Sequence, residues 1–483
     1  MSIITLDRRR FVGSAAVALG ALALPSCTSP APSRDPAVRG LPAFFDDLER
    51  RTFSFFWEVT DHQTGLVPDR WPTPPFSSIA AIGFGLSAYI IGAERGWITR
   101  EQASERTLNT LRFLAGLPTG DAAQGVAGHK GFFYHFLDSR TGHRFGQCEL
   151  STVDTGLLHL GALHAAAWFD RDSGEEREIR RLAYALVDQA DWEWFQRDGR
   201  AISMGWHPET GFIERNWDGY NEGKFVYILA LGSGGHPVPD GSWSAWTAPY
   251  PRFWQGEGAA RRLAFAPMFG HQYSEMWIDF RGIFDAPMRE AGFDYFENSR
   301  RETLAQHAYA RANPMGWTGY DERIWGLTAC DGPGDLELMH SGRTALYRGY
   351  SARGPIDEPD GFDDGTIAPT AVLGSLPFAP EICIPSALAM HQRYGSHIYR
   401  QYGFLDSFNP GLRDPGVEIA TGSIDPEHGW VATDWLGIDQ GPILGMLANY
   451  RNDAIWRAMR GSPNIVRGLR RAGFTGGWLE AIR

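Results

Sequence analysis

The sequence predicts an all-α fold, an (α/α)6 barrel in which about twelve helices form two rings and long loops make a substrate groove at one rim. Helix-length apolar runs recur along the chain and alternate with loops rich in Gly, Pro and aromatic residues. Residues 78–96 and 152–169 are apolar on nearly every face, whereas 99–113 and 174–195 are amphipathic. No alternating apolar–polar run predicts a long strand. Because the first kind of helix must be covered on all sides, inner and outer helices are expected to alternate.

Each element is predicted from an apolar run and its end signals. Thr99 followed by Gln102 is typical of a helix start, and Gly96 and Gly116 are typical of helix ends. A two-domain helical protein is the alternative, but no Gly/Ser linker or charge block after residue 40 supports a boundary. The predicted helices lie near residues 43–58, 78–96, 99–118, 152–169, 174–195, 220–233, 270–284, 298–313, 366–377, 381–395, 438–452 and 454–472.

The N-terminal residues predict export rather than fold. Residues 7–12 resemble a twin-arginine signal, and the apolar run 12–24 is too short to span a bilayer. Leu24-Pro-Ser-Cys27 resembles a lipobox, which predicts cleavage before Cys27 and its lipidation; the alternative is an ordinary cleaved signal with a chance cysteine. We therefore expect a signal over 1–27, a flexible Pro/Ser/Ala-rich tether over 28–40 and one catalytic domain over 41–483. The expected location is the periplasm or the outer membrane of a bacterium.

The composition indicates which classes of binding partner the protein can have. The net charge of −12 disfavours nucleic acid and anionic membranes, whereas a neutral sugar polymer fits it. If Cys27 is lipidated, three of the four cysteines remain: Cys148, Cys330 and Cys383. An odd number cannot pair fully, and their spacing is not that of a zinc site, so we expect free thiols. No His-Glu-x-x-His motif, phosphate loop or Gly-x-Ser-x-Gly elbow is present. We expect no cofactor, no metal, a monomer, and a membrane contact only through a lipid anchor.

The stretch 211–237 is the strongest functional signal. It places Glu214, Asp218 and Glu222 within nine residues, interleaved with aromatic side chains, just before a helix-like run. Carboxylates can exchange protons with a glycosidic oxygen, and aromatic faces can stack on sugar rings. The alternative is a polar loop with one N-cap carboxylate.

A second acid, Asp154, is expected at the same rim. Ser151 or Thr152 can cap the apolar helix that follows, which places Asp154 in its first turn. Its alternative role is that of a carboxylate stabilised by the helix dipole. Because one amphipathic helix separates Asp154 from Glu222, both should start consecutive inner helices. We predict Glu222 as the general acid and Asp154 as the base or the residue that orients water.

Further clusters supply candidate substrate contacts. Three of these candidates also have a structural interpretation: His271 as a buried structural residue, Asp331 as part of a turn and Asp364 as a helix N-cap. Asp279 and Arg281, by contrast, suggest a structural ion pair. The candidate substrate-binding residues are Glu149, Trp217, Asp218, Tyr220, Asn221, His271, Trp317, Tyr320, Trp325, Asp331 and Asp364.

Together these clusters resemble glycoside hydrolase family 144, the bacterial β-1,2-glucanases with a glucoamylase-like domain, over about residues 45–480. The resemblance implies an (α/α)6 barrel, no cofactor, and inverting endo-type hydrolysis of β-1,2-glucan to sophorose-type oligosaccharides, with essential acids at Asp154 and Glu222. Alternatives are hydrolysis of another β-glucan linkage, exo action, or a non-catalytic glycan-binding lipoprotein.

The chain departs from the family's usual motifs at two places. Gly223-Lys224 follows Glu222, where Lys224 could alter the pKa of Glu222, and Cys330 stands where Ser is common. The motifs are Glu-Leu-Ser-Thr-Val-Asp-Thr-Gly (149–156), Gly-Tyr-Asn-Glu (219–222), His-Gln-Tyr-Ser (271–274), Trp-Gly-Leu-Thr-Ala-Cys-Asp-Gly-Pro (325–333), Asp-Asp-Gly-Thr-Ile-Ala-Pro-Thr-Ala (363–371), Tyr-Gly-Phe-Leu-Asp-Ser-Phe-Asn-Pro (402–410) and Ile-Asp-Gln-Gly-Pro-Ile (438–443).

Overall fold

Most of the long helices of the computed structural model form two concentric rings. The structure describes residues 40–73, 76–197 and 199–482. The predicted signal and lipidation at Cys27, and all but the last residue of the tether, lie outside this part of the chain. The described residues form α1 Phe44–Ser54, α2 Ile79–Glu94, α3 Arg100–Gly116, α4 Thr152–Trp168, α5 Gly174–Asp188, α6 Trp192–Gln196, α7 Lys224–Gly232, α8 Ser242–Thr247, α9 Phe269–Trp277, α10 Ala286–Ala291, α11 Tyr295–Ala312, α12 Pro369–Leu373, α13 Pro380–Ile398, α14 Gly437–Asn452, α15 Ala454–Met459, α16 Pro463–Arg471 and α17 Gly477–Ala481.

The inner ring consists of α2, α4, α7, α9, α12 and α14, whose residues are almost all buried. Glycines allow the closest approach, since a Cβ on Gly83 of α2 would lie 2.2 Å from the Leu157 carbonyl oxygen of α4. Polar side chains join other neighbours: Gln272 of α9 donates to the Ala371 carbonyl of α12 (2.9 Å), and Thr370 of α12 donates to the Asp439 carbonyl of α14 (3.0 Å). The ring therefore closes through packed apolar surface and satisfied polar groups.

The outer ring consists of α1, α3, α5, α11, α13 and α16. These helices are amphipathic or charged and cover the inner ring with one face, as the sequence predicts. Ion pairs join some of them, such as Arg100 of α3 with Glu176 of α5 (2.8 Å). Alternating inner and outer helices confirm the predicted (α/α)6 barrel.

Strands are short and antiparallel, and within the described residues none exceeds five residues. Three of them lead directly into inner helices: β2 into α2, β6 into α4 and β20 into α14. The pairing Leu150↔Trp206 and Trp206↔Phe212 places the loop before α4 beside the loop before α7. The strands are β1 Arg70–Trp71, β2 Ser77–Ser78, β3 Gly128–His129, β4 Phe132–Phe133, β5 Phe136–Leu137, β6 Leu150–Ser151, β7 Ile202–Ser203, β8 Gly205–His207, β9 Gly211–Phe212, β10 Asn216–Trp217, β11 Trp254–Gln255, β12 Arg262–Leu263, β13 Leu336–His340, β14 Arg343–Tyr347, β15 Tyr399–Arg400, β16 Gly403–Phe404, β17 Phe408–Asn409, β18 Ser423–Asp425, β19 Gly429–Val431 and β20 Trp435–Leu436.

Most predicted helices are present, and the capping box of Thr99 with Gln102 is confirmed. Several boundaries were wrong, including the start of α7 and both ends of α12, and three further differences have a clear cause. The helix predicted over 270–284 ends at Trp277, because Ile278 is extended and Asp279 pairs with Arg281 (2.7 Å). The helix predicted over 454–472 is two helices, since Pro463 begins a new one. Residues 174–195 likewise split into α5 and the short α6.

Cys148, Cys330 and Cys383 are free thiols, as predicted. None of the helices in the described part of the chain is long and apolar enough to cross a bilayer.

Candidate active site

A cavity of about 570 Å³ opens at the rim where α7 begins. The loop before α7 forms one wall, and six residues singled out from the sequence lie along it: Glu214, Trp217, Asp218, Tyr220, Asn221 and Glu222. The facing walls contain two aromatic side chains and a loop that were not predicted: Phe253, Phe265 and residues 359–360. A carboxyl group beside aromatic rings in one cavity is an arrangement suited to a sugar ring.

Glu222 lies at the inner end of this wall. It directly precedes Gly223, the N-cap of α7, and the Asn221 side chain accepts the Gly223 amide hydrogen (2.9 Å). Glu222 is only partly exposed to solvent. Burial raises the pKa of its carboxyl to about 7; a backbone hydrogen bond opposes this shift and the charge of Asp154 adds to it. Near neutral pH the carboxyl therefore retains a proton in a large fraction of molecules, as a general acid requires.

Asp154 occupies the first turn of α4, as predicted. Ser151 caps this helix by accepting the Asp154 amide hydrogen (3.1 Å), and its hydroxyl donates to Asp154 Oδ2. The other oxygen, Oδ1, lies 3.5 Å from Nε2 of His135. Burial raises the pKa of Asp154, while the His135 charge opposes that shift. Asp154 is thus both a first-turn carboxylate and a member of a charged cluster.

His135 was missed by the sequence analysis. Its Nδ1 lies 2.9 Å from Glu149 Oε1, so the imidazole bridges Glu149 and Asp154, and its ring stacks on Phe136 (3.8 Å between centroids). Burial alone would lower the pKa of His135, but the carboxylates, Asp154 foremost, raise it to about 9. At neutral pH the ring is an imidazolium that favours ionised Asp154 and Glu149. Glu149, predicted as a substrate contact, is half-buried and serves here as a partner of His135.

A second group of acids surrounds Arg70. Its guanidinium contacts Asp331 (3.0 Å), Asp69 (3.2 Å) and Asp434 (3.7 Å). Asp331 was predicted to bind substrate; the structure places it in this ion-pair group. Burial and the charge of Asp331 raise the pKa of neighbouring Asp406 to about 7.

Tyr273, on α9, was also missed by the sequence analysis. Its side chain is nearly buried, and its hydroxyl is within electrostatic reach of Asp439, Glu222 and Asp154. Burial, with these charges adding to it, raises its pKa well above the usual value, so the hydroxyl remains a neutral donor.

Comparison with known proteins assigns the chain to a family. A family model described as "Putative glucoamylase" matches residues 214–463, slightly more than half of the chain. The chain belongs to this glucoamylase-like family. The predicted resemblance to glycoside hydrolase family 144 is confirmed by the same comparisons.

Several glucoamylase-like relatives have known structures or curated activities. A protein of the same description from Bacteroides uniformis is 31% identical, with a TM-score of 0.76, over 90% of this chain and 97% of that one. An endo-β-1,2-glucanase from Chitinophaga pinensis, solved with sophorotriose and glucose, is 25% identical with a TM-score of 0.75, over 90% and 99% of the two chains. An exo-β-1,2-glucooligosaccharide sophorohydrolase from Parabacteroides distasonis is 26% identical over 458 residues, which cover 88% of this chain and 57% of that protein.

Within this glucoamylase-like domain, three predicted substrate contacts are corrected, His271, Trp325 and Asp364, and a fourth, Tyr220, stays a prediction. His271 is fully buried, with Nδ1 3.0 Å from the Tyr220 hydroxyl and Nε2 3.1 Å from the Phe265 carbonyl oxygen, so it is structural. Tyr220 lines the cavity, but its ring is buried and its hydroxyl is occupied by this bond. Trp325 is fully buried and donates to Ser386 (2.8 Å), and Asp364 is fully buried and pairs with Arg353 (2.8 Å). Helix packing and ion pairing explain these residues.

Trp317 and Tyr320 are also largely enclosed. Trp317 is 3% exposed and stacks on His340 (4.2 Å between centroids), while Tyr320 donates to Asp363 (2.7 Å). They support the loops of the rim, and neither lines the cavity beside Glu222.

Lys224 does not act on Glu222, in contrast to the sequence expectation. Its ammonium group donates to Glu275 on α9 (2.7 Å), and both side chains are fully buried. Phe280 and Tyr295 lie against the same ammonium at 4.4 and 4.6 Å. Lys224 is therefore a link between two inner helices.

Proposed function

We propose that this protein is a glycoside hydrolase that cleaves β-1,2-glucan. The observation that carries the proposal is Glu222, a carboxyl with a pKa of about 7 that lies in an aromatic-lined cavity within reach of a second acid. The curated and solved relatives that act on β-1,2-linked glucose support the choice of substrate. A binding protein would need hydrogen-bonding groups in the cavity, but it would have no use for a carboxyl poised to release a proton near pH 7.

In the proposed reaction, Glu222 protonates the glycosidic oxygen as the bond to the anomeric carbon breaks. Asp154, whose ionised form the His135 charge favours, accepts a proton from the water that attacks the opposite face of that carbon. The products are a shortened glucan with a new reducing end and the departing chain, which receives the Glu222 proton as its hydroxyl hydrogen. Attack from the opposite face inverts the anomeric configuration.

Aromatic side chains supply the sugar-binding surface in this proposal. Trp217 is held by a hydrogen bond from its indole to Thr152 (2.8 Å), which fixes the ring beside the loop of Asp154. Phe253 and Phe265 line the facing wall. A ring contact of this kind contributes about 1 kcal/mol beyond simple burial. In this proposal Asp218 and Arg215, which line the same cavity, bind sugar hydroxyls, while Asn221 supports the loop through its bonds to the Asp218 carbonyl and the Gly223 amide.

Two finer features belong to the proposal. Endo action is favoured because the similarity spans nearly the whole endo-glucanase of Chitinophaga pinensis but 57% of the exo-acting protein. Export to the periplasm or outer membrane, with lipidation at Cys27, is favoured by the twin-arginine-like and lipobox-like residues.

The test is incubation of the purified protein with linear β-1,2-glucan and, in parallel, with β-1,3-, β-1,4- and β-1,6-glucans and α-glucans. We expect reducing ends to appear with β-1,2-glucan, with products of mixed length early in the reaction. Release of sophorose alone from the start would contradict endo action, and cleavage of another glucan only would overturn the linkage. Proton NMR of the first product should show the α-anomer; an initial β-anomer would contradict inversion.

A further inference from the structure

Two histidines and an aspartate converge at the end of α13, on a part of the rim that the proposed reaction does not use. His397 lies in the last turn of this helix, Asp425 ends β18, and His428 lies in the turn before β19. Each offers one potential ligand atom, and these atoms all lie within 4.8 Å of one another. The sequence analysis did not find this cluster because residue 397 is remote from residues 425 and 428 along the chain.

The geometry is built around the Asp425 carboxylate. The backbone amides of Glu427 and His428 donate to its Oδ1 (2.9 and 2.8 Å), which fixes the orientation of the carboxylate. Nδ1 of His428 lies 3.0 Å from Oδ1, and Nδ1 of His397 lies 4.0 Å from Oδ2. The two imidazole rings also stack on each other, with centroids 3.7 Å apart. A structural Asp–His hydrogen bond accounts for His428 but not for the convergence of His397.

We propose that His397, Asp425 and His428 form a zinc site. Two imidazole nitrogens and a carboxylate oxygen are ligands that Zn²⁺ prefers. Bonds of about 2 Å at tetrahedral angles require ligand atoms about 3.3 Å apart, so Nδ1 of His397 and Oδ2 of Asp425, which are 4.0 Å apart, need to approach by about 0.7 Å. The C-terminal end of α13 also favours a cation.

The fourth position faces a cleft of about 410 Å³ that His397 and Asp425 line together with Arg400 and Trp435. Water or an anion can complete the coordination there, because the Arg400 guanidinium in the same cleft favours a negative ligand. Bound zinc would tie α13 to the β18–β19 hairpin.

The test is zinc titration of the EDTA-treated, purified protein, followed by competition with a chromogenic chelator. We expect one zinc per chain, with affinity at least tenfold weaker in His397→Ala and in His428→Ala. The matched control is His236→Ala, which alters another surface cluster, Asp191–Glu193–His236, and should bind as the wild type does. Thermal unfolding should show zinc raising the Tm of the wild type and the control but not of the two site variants.

The contradicting outcomes are distinct. Undiminished binding in His397→Ala and His428→Ala, or no binding by the wild type, would overturn the site. Loss of binding in His135→Ala alone would place the metal in the His135–Glu149–Asp154 cluster and likewise contradict the proposal. Neither result depends on glucan hydrolysis, so the zinc site and the proposed function fail independently.

Discussion

At the scale of single residues, the environment of each carboxyl assigns its role. Glu222 has no cationic partner within hydrogen-bonding distance in the described part of the chain, and burial raises its pKa. Asp154 faces the His135 imidazolium, which stabilises its ionised form. Burial raises the pKa of both carboxyls, but the cation beside Asp154 favours its ionised form, which suits Asp154 to the role of base and Glu222 to that of acid.

His135→Gln should shift the pH profile of kcat/KM. The positive charge of His135 lowers the pKa of Asp154, so its removal raises that pKa, and the acidic limb, on which the base loses its proton, should move to higher pH. The alkaline limb, set by Glu222 with a pKa of about 7, should move little. Initial rates from pH 4 to about 9 measure both limbs. A uniform loss of rate without displacement of the acidic limb would show that His135 only supports the fold.

Asp154→Asn should lower kcat by at least about 100-fold, the usual scale for loss of a catalytic base. Asparagine keeps the hydrogen bond from Ser151 but cannot accept a proton from water. Circular dichroism and thermal unfolding measure the fold in parallel. A variant with a lower Tm and normal kcat would instead support the helix-dipole role of Asp154.

Sequence analysis located the acids and missed most of their partners for a physical reason. Trp217, Asp218, Asn221 and Glu222 are close in sequence and lie in one cavity, so local composition was sufficient. His135 and Tyr273 reach the site from other loops and helices, and nothing in their local sequence distinguishes them from core residues. Trp325 shows the converse error, because an aromatic residue beside glycine in the sequence proved to be fully buried.

At the scale of elements, the inner helices are held together by polar groups as well as by apolar packing. The Lys224–Glu275 pair joins α7, which begins next to Glu222, to α9, which bears Tyr273. Burial raises the pKa of Glu275 to about 7 and lowers that of Lys224. The pair therefore sets the spacing of two helices that carry the site.

Lys224→Met should destabilise the protein, because it leaves the Glu275 carboxyl buried without its cation, a loss of up to about 3–5 kcal/mol when the carboxyl is ionised. Without Lys224 the pKa of folded Glu275 rises further above its unfolded value. The free energy of unfolding of the Lys224→Met variant is therefore highest at low pH, where Glu275 is protonated, and falls as the pH rises through the folded pKa of Glu275. Thermal unfolding at pH 5.5 and 8.5 measures this effect.

The double variant Lys224→Met, Glu275→Met is the matched control, and its Tm should be nearly independent of pH over that range. Equal Tm values for the wild type and Lys224→Met at both pH values would contradict the role assigned to the pair.

At the scale of the whole molecule, the barrel was predictable because its helices differ in how many faces are apolar. The all-round apolar runs became α2 and α4 of the inner ring, and the amphipathic runs became α3 and α5 of the outer ring. The ends of helices were less predictable where a tertiary contact decided them. Asp279 pairs with Arg281, as the sequence analysis expected, but the analysis did not foresee that the helix ends before this pair, at Trp277.

The same architecture brings the loops before successive inner helices to one rim. Asp154 and Glu222 precede or begin α4 and α7, while Asp439 begins α14. The central claim is that this rim hydrolyses β-1,2-glucan with Glu222 as the acid.

The most direct measurement compares turnover of linear β-1,2-glucan by the wild type, Glu222→Gln and Glu105→Gln, a control on the exposed face of α3. Glutamine keeps the shape of Glu222 but cannot protonate a leaving group, so we expect kcat to fall at least about 100-fold with an unchanged Tm. Glu105→Gln should match the wild type. Near-normal turnover by Glu222→Gln would contradict the account.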